Sequence, residues 1–301
     1  MPELPEAETV RRGLEAETVS RSIARVEATG LRSVRRHPDP GELDRRLRGQ
    51  PVTAVGRVGK FLTLAAGQEI LVVHLGMSGQ LLLSDGSDPR PKHSHVVLVF
   101  EDGSELRFVD PRTFGQVFLS EGPEPSRRAR PAELAHLGFD PLTDGLPAAR
   151  FAARLRSRRT MLKALLMDQR FVAGIGNIYS DEILHAAGLR YDHPASALDD
   201  DQARALHRHM LRILRASVRL GGSSLSDMQY RDVYGRPGRY QERHLVFARE
   251  GMACVGCGGP IVRRAWGGRS TFFCPRCQPS GQTLSQAGSG LTMRAGGPRR
   301  T

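Results

Sequence analysis

Cys254, Cys257, Cys274 and Cys277 are the only four cysteines in the chain, spaced C-x2-C-x16-C-x2-C. Each two-residue gap lets a pair of thiolates reach the same metal ion, and the stretch between the pairs suits a β-hairpin. Two disulfides would use the same residues, but an intracellular chain disfavours them. Four thiolates leave no open coordination position, so a zinc ion here would be structural and would stiffen the hairpin "IVRRAWGGRSTFFC". Arg263, Arg264 and Arg269 on that hairpin point to nucleic acid rather than to metal catalysis.

Two further groups of residues invite chemistry. The chain opens "MPELPEAETV". From Pro5 onward this reads as a helix start, with proline in the first turn and acidic residues complementing the helix dipole. Pro2 and Glu3 precede that helix without an evident structural task. The basic residues form the other group: of 44, only Lys60, Lys92 and Lys163 are lysines. An ammonium can release its proton when its surroundings lower its pKa, whereas a guanidinium holds its proton near neutrality. Each lysine is therefore a position at which arginine would not serve equally well, unless the three persist by chance.

In "FVAGIGNIYSDE", Gly174, Gly176 and Asn177 stand just before a helix. Glycines permit close backbone approach, and a helix N-terminus offers free N–H groups to an anion, so this turn is a candidate phosphate cradle. A helix–helix turn also contains glycine for purely steric reasons.

These residues need elements to position them. Residues 1 to about 125 are β-rich after the first helix, with short β-branched segments and an "EDGS" hairpin signal, which indicates a sandwich or barrel. A Pro- and Arg-rich connection follows, with room for one helical turn. Helical periodicity runs from about 148 to 222, including "AARFAARLRSRRTMLKALLMDQ" and a helix that starts at three aspartates and stops at Gly221 and Gly222. Arg204, Arg208, Arg212, Arg215 and Arg219 share one face of that last helix; such a row is ordinarily a solvated face and is also a candidate phosphate contact. "VYGRPGRY" reads as a loop. The segment from about 279 lacks periodicity and is expected to be disordered.

At 301 residues the chain exceeds what one core usually supports. No apolar run is long enough to span a membrane and no signal peptide is evident, so an intracellular protein is expected. A formal net charge of +12 favours a polyanionic partner, nucleic acid first, although membrane-surface and ribosomal roles carry the same charge.

Taken in order, "PELPEAETVRRGL", "VGKFL", "HLGMSGQL", "DPRTFG", "GIGNIYSDE", "GGSS", "GRPG" and "GRSTFFCPRCQ" resemble the formamidopyrimidine-DNA glycosylase and endonuclease VIII family of base-excision repair enzymes, over about residues 2 to 278. The resemblance is greatest to its formamidopyrimidine-DNA glycosylase branch. It implies a multi-domain α+β fold: an N-terminal catalytic β-sandwich with a leading helix (1–130), a linker (131–147), a helix-two-turn-helix domain with a lesion loop (148–243), a β-hairpin zinc finger (244–278) and a tail (279–301). It implies one structural Zn2+, damaged duplex DNA as partner, a monomer and a cytoplasmic location.

The resemblance also implies roles. After removal of Met1, Pro2 would attack C1′ of the damaged nucleotide, with Glu3 as acid/base and Glu6 in positioning. Lys60 would serve β-elimination and Arg269 δ-elimination and phosphate binding. Met77, Arg112 and Phe114 would fill the void left by the extruded base; seen alone, Met77 and Phe114 would read as core. His93, Arg158, Lys163 and Asn177 would contact DNA. Thr113 departs from the second arginine of many relatives, and the loop around Tyr230 to Tyr234 and Arg239 is unusual, which weakens the expectation of oxidised purines. Two other readings stand beside it: an endonuclease VIII-like enzyme for oxidised pyrimidines, and a non-catalytic zinc-ribbon protein that binds damaged DNA, against which Pro2, Glu3 and Lys60 speak.

Overall fold

A computed structural model describes residues 1–121, 130–225 and 230–280. The last residues of the expected 1–130 domain (122–129), the first four residues of the lesion loop (226–229) and the tail from 281 lie outside these residues.

Helix α1 spans Leu4–Thr18. Leu4, Ala7, Val10 and Leu14 recur at three- and four-residue spacing and are all buried, which sets the inward face of the helix. Pro5 falls in the first turn, where its missing N–H costs nothing. The helix begins one residue earlier than the position of Pro5 suggests, and Glu3 is its N-cap residue.

The expected β-rich region is a sandwich of two antiparallel four-stranded sheets. One has β1 (Ile23–Ala28), β6 (Ser94–Phe100), β7 (Glu105–Val109) and β5 (Gln80–Ser84) in that spatial order. The other has β2 (Val52–Val58), β3 (Phe61–Ala66), β4 (Glu69–His74) and β8 (Gln116–Glu121). Side chains such as Ile23, Leu62, Val73, Phe100 and Phe108 fill the layer between them. Helix α2, Gly41–Leu47, which sequence periodicity did not indicate, adds Leu43 and Leu47 to this core. "EDGS" does turn between β6 and β7, with Gly103 at φ 82° supplying the left-handed conformation.

The expected linker is packed rather than free. After a single 3-10 turn at Ala132–Leu134, Leu134 and Leu137 join Val58, Ile70, Val72 and Phe118 of the sandwich, while Phe139 joins the helical core. The helical run from 148 divides into α3 (Ala148–Arg156) and α4 (Leu162–Met167). The break has a tertiary cause: Leu162 and Lys163 donate their N–H groups to His193 and Tyr191 carbonyls, and Ala195 donates to Thr160. Helices α5 (Asn177–Ala186) and α6 (Asp200–Arg219) complete the bundle. Asp199 caps α6 by accepting from Gln202 N–H, and Gly221 (φ 75°) and Gly222 (φ 80°) stop it, as the sequence indicates.

From α6 the chain returns to the sandwich. Tyr230 and Val233 are buried in its core, and Leu83 donates to the Val233 carbonyl, so this loop ties the two halves together. The chain ends in hairpin β9–β10, Val262–Trp266 and Arg269–Phe273, turned by Gly267 and Gly268, both with positive φ.

Candidate active site and nucleic-acid interface

Glu3 is 2% exposed, and its carboxylate is held by residues more than 170 positions away. It accepts hydrogen bonds from the backbone N–H groups of Gly176 (2.6 Å), Ile178 (2.9 Å) and Tyr179 (3.4 Å). The anion at the N-terminus of α5 is therefore this carboxylate, not a phosphate, which corrects the cradle expected of the glycine turn. Leu4 N–H adds a bond to the Gly174 carbonyl. A side chain at Gly176 would meet Glu3 Cδ at 2.5 Å and Lys60 Nζ at 2.8 Å, so Glu3 and Lys60 converge on a backbone that must be glycine.

Glu6 lies beneath. Its carboxylate accepts from Glu3 N–H (2.8 Å), Tyr179 Oη (2.5 Å) and Ser223 N–H (2.7 Å). Burial and the neighbouring Glu3 charge raise its pKa, opposed by those bonds. Tyr179 Oη also meets Ser217 Oγ at 2.5 Å, and Ser223 Oγ meets His244 Nε2 at 3.0 Å. Gly222 is required here as well, since a Cβ would stand 2.8 Å from Glu6 Oε1. Tyr179, Ser223 and His244 had no role in the sequence-based expectations, although Tyr179 lies within "GIGNIYSDE" and Ser223 within "GGSS".

Lys60 is 8% exposed, at the β2–β3 turn. Burial lowers its pKa, against the raising effect of Glu3 and Glu6. Asp140 holds the turn by accepting from Gly59 N–H (3.0 Å), and it also accepts from both terminal nitrogens of the fully buried Arg57. His74 lies alongside, its ring 4.6 Å from that of Phe61, with burial lowering its pKa to about 4. It stands inside "HLGMSG", yet the sequence reading gave it no role.

Met77 and Phe114 are 40% and 44% exposed, which excludes the core role each would have by type alone. Arg112 is exposed and its guanidinium lies 5.1 Å from the Phe114 ring centroid. Both loops are anchored on one buried carboxylate: Asp110 accepts from Ser78 Oγ (2.6 Å), Arg112 N–H (3.3 Å) and Gly115 N–H (2.7 Å). Its own N–H donates to the His93 carbonyl. His93 and Thr113 both have positive φ, 71° and 55°, an unusual conformation for the β-branched Thr113. His93 and Arg158 are exposed.

Lys163 contradicts its expected contact with DNA. It has no exposed side-chain surface, pairs with Asp181 at 2.7 Å, and donates to Thr271 Oγ1 (2.8 Å) and the Ser270 carbonyl (3.3 Å). With its three protons committed inside the protein, no phosphate can reach it. It locks β10 to α5, together with Asn177 Nδ2 to Ser270 O (3.0 Å) and Phe272 N–H to Asp181 (2.9 Å). Asn177 is half-buried and its Oδ1 has no partner, while Arg269 is exposed at the start of the strand so held.

The four cysteine sulfurs lie within 4.8 Å of one another, and the measured Cys254–Cys277 and Cys257–Cys274 separations are 3.8 and 3.4 Å. Tetrahedral zinc with bonds of about 2.3 Å places its sulfurs about 3.8 Å apart, so the set fits one structural zinc ion. His185 Nε2 stands 3.3 Å from Cys254 Sγ and orients that ligand from α5.

Three family models match in this order: "Formamidopyrimidine-DNA glycosylase N-terminal domain" over residues 1–117, "Formamidopyrimidine-DNA glycosylase H2TH domain" over 137–229, and "Zinc finger found in FPG and IleRS" over 253–279. Sandwich, helical unit and thiolate hairpin, closing on a carboxylate–lysine cluster, define the zinc-finger DNA glycosylases of base-excision repair. The formamidopyrimidine-DNA glycosylase of Nocardia farcinica is 40% identical, with 93% of this chain and 98% of the relative covered. That of Salinispora arenicola is 42% identical, with 95% and 99% covered. Among solved structures, the MutM (Fpg) protein of Thermus thermophilus is 39% identical with a TM-score of 0.80, covering 93% of this chain and all of that one. Lactococcus lactis Fpg in complex with abasic-site DNA is 32% identical with a TM-score of 0.81, covering 92% and 99%. The chain belongs to the formamidopyrimidine-DNA glycosylase family.

Proposed function

We propose that this chain is a bifunctional DNA glycosylase and abasic-site lyase that removes oxidised purines, 8-oxoguanine and formamidopyrimidines, from duplex DNA. The observation that carries the reading is the convergence of Lys60 and Glu3, the residue that follows Pro2 in the chain, on Gly176. Unlike Lys163, which is committed to an ion pair with Asp181, Lys60 has no hydrogen bond or ion pair among the described residues and is buried beside the carboxylate next to Pro2, where binding alone would not require it.

In this reading Pro2 is an amide until Met1 is removed, and then a secondary amine that titrates about two units below lysine. It attacks C1′ and the base departs. Because the nitrogen is secondary, the adduct with the opened sugar is a cationic iminium that acidifies the C2′–H bond; loss of that proton to a base expels the 3′ phosphate, and loss of the C4′ proton then expels the 5′ phosphate. The Glu3 carboxylate takes the proton that the Pro2 nitrogen releases as the C1′–N bond forms and passes it to the ring oxygen as the ring opens, and Glu6 fixes the geometry of Glu3 through its N–H. Lys60, with its lowered pKa, is suited to proton transfer during β-elimination. Arg269 clamps the departing phosphate by paired hydrogen bonds. Met77, Arg112 and Phe114 fill the gap in the duplex, and His93, Arg158 and Asn177 contact the strands. Lys163 positions Arg269 instead of touching DNA. No helix among the described residues is long and apolar enough to cross a membrane. The enzyme acts as a monomer in the cytoplasm, on nucleoid DNA.

Borohydride trapping tests this on duplexes bearing 8-oxoguanine, a formamidopyrimidine, thymine glycol or an abasic site. Covalent adducts through Pro2 are expected on the purine lesions and the abasic site, with thymine glycol weakest. No adduct on any of the four would overturn the reading. A retained methionine or an N-terminal tag should abolish trapping and spare binding; strand cleavage by such a protein would remove Pro2 from its role.

A further inference from the structure

The arginine row of α6 has no part in the chemistry above. One side of the helix is turned inward, where Leu206, Met210, Ile213 and Leu214 are buried and Ser217 reaches Tyr179 Oη beneath Glu6. Arg215 and Arg219 stand two residues either side of Ser217, about 200° around the helix, so the row faces away from the reactive cluster. Arg208, Arg212, Arg215 and Arg219 are exposed, and among the described residues none has a hydrogen bond or ion pair. The acids of α6 are confined to its start, where Asp200 engages Arg204 and Arg156. The four arginines, with His207 and Leu211, line a cleft of about 530 Å³.

We propose that this row is a second DNA-binding face, which holds the phosphate backbone of a duplex segment other than the one in the active site. The identity of the polyanion as DNA rests on the proposed function; the face itself rests on its charge and geometry. At 1.5 Å of rise per residue the row is about 16 Å long, so its members are spread along the cleft they line rather than gathered at one point. A small anion needs convergent donors. A duplex offers one charge per roughly 1.7 Å of axis, so along the length of the row there is a phosphate within reach of each guanidinium group. Two faces on opposite sides of one helix let the enzyme stay on one segment while it samples another.

The test uses the full-length, zinc-loaded protein saturated with a short duplex that carries a non-cleavable abasic analogue. A second, fluorescent, undamaged duplex is then added. A ternary complex is expected, and replacing Arg208, Arg212, Arg215 and Arg219 with glutamine should abolish it, leaving abasic-analogue affinity and cleavage of a short abasic duplex unchanged. With four phosphate contacts, the salt dependence of ternary binding, taken as log K against log salt, should have a slope of about −3.6. The absence of a ternary complex, or its persistence in the quadruple variant, would overturn the proposal. Tighter capture of a polyglutamate chain of equal charge would also overturn it, by making the partner an acidic polypeptide. Failure to bind the first duplex at all would instead count against the proposed function.

Discussion

Asp110 illustrates how much can depend on a residue that touches no substrate. Its carboxylate accepts from the Met77 loop through Ser78 and from the Arg112–Phe114 loop through two backbone N–H groups. Asp110→Ala should therefore free both loops together. We expect excision of a paired lesion to fall by 10-fold or more while cleavage of a preformed abasic site changes little, as measured by single-turnover kinetics on the two substrates; equal losses on both would refute this coupling. Lys163→Met breaks a buried ion pair and leaves Asp181, whose carboxyl burial already raises to about 7, to take up a proton in the interior; the change costs about 3 to 5 kcal/mol, to be read by urea denaturation of the zinc-loaded protein. At this scale the cysteines are legible in the sequence because residue type and spacing carry their meaning; Pro2, Glu3 and Lys60 stand out by position and rarity, and their proposed roles are legible only through the family motifs. Asp110, Tyr179 and His244 are not, because what defines them is a partner 32, 173 or 21 positions away. Lys163 shows the converse: its rarity marked it correctly as special, but only burial reveals that its partner is Asp181.

At the scale of elements, two devices hold the zinc hairpin. The thiolates close its base, and Lys163, Asp181 and Asn177 fasten strand β10 to α5. Cys274→Ser, or a strong chelator, should release zinc and weaken affinity for an abasic-analogue duplex, followed by metal content and fluorescence anisotropy; lost metal with unchanged affinity would show that the α5 attachment suffices alone. Both ends of α6 are legible because its cap, aspartates and terminal glycines are local signals. The division of the 148–169 run is not. The run has helical periodicity throughout, and only the loop at 190–195, which takes over its backbone hydrogen bonds, interrupts it. The start of α5 misleads in a related way: its free N–H groups were evident, and the anion that fills them came from the other end of the chain.

Across the whole molecule, the two halves meet along an ionic seam. Arg57 of the sandwich lies between Glu8 of α1 and Asp140 of the connecting segment, beside a cleft of about 690 Å³. Burial works against the Glu8 charge, but hydrogen bonds from Arg11 and the charge of Arg57 outweigh it and hold its carboxyl at about 2. A depressed carboxyl pKa stabilises the fold above the unfolded value of about 4.5, and this contribution disappears as the pH falls toward 2. Urea unfolding should thus lose about 3 kcal/mol from this group on acidification, and Glu8→Gln should remove that part of the slope. Asp140→Ala should be costlier at neutral pH, because it leaves both terminal nitrogens of the buried Arg57 without their carboxylate, with Glu8 holding only Nε, and frees the turn that carries Lys60. The fold class and domain order are legible from texture and motif order. This seam is not, since nothing local distinguishes Arg57 from the other arginines.

Glu3 and Glu6 are made early and completed late. Ribosomal synthesis delivers the N-terminus first, yet the groups that hold these carboxylates, Gly176, Tyr179 and Ser223, emerge as many as 217 residues afterward. At 5 to 20 residues per second that is a wait on the order of 10 to 40 seconds. During that interval the nascent chain carries Pro2, the proposed nucleophile, beside carboxylates whose partners have not yet been made. Translation that stops early therefore yields a fragment with no assembled centre, and the capacity to break DNA arises only once most of the chain that controls it has been made.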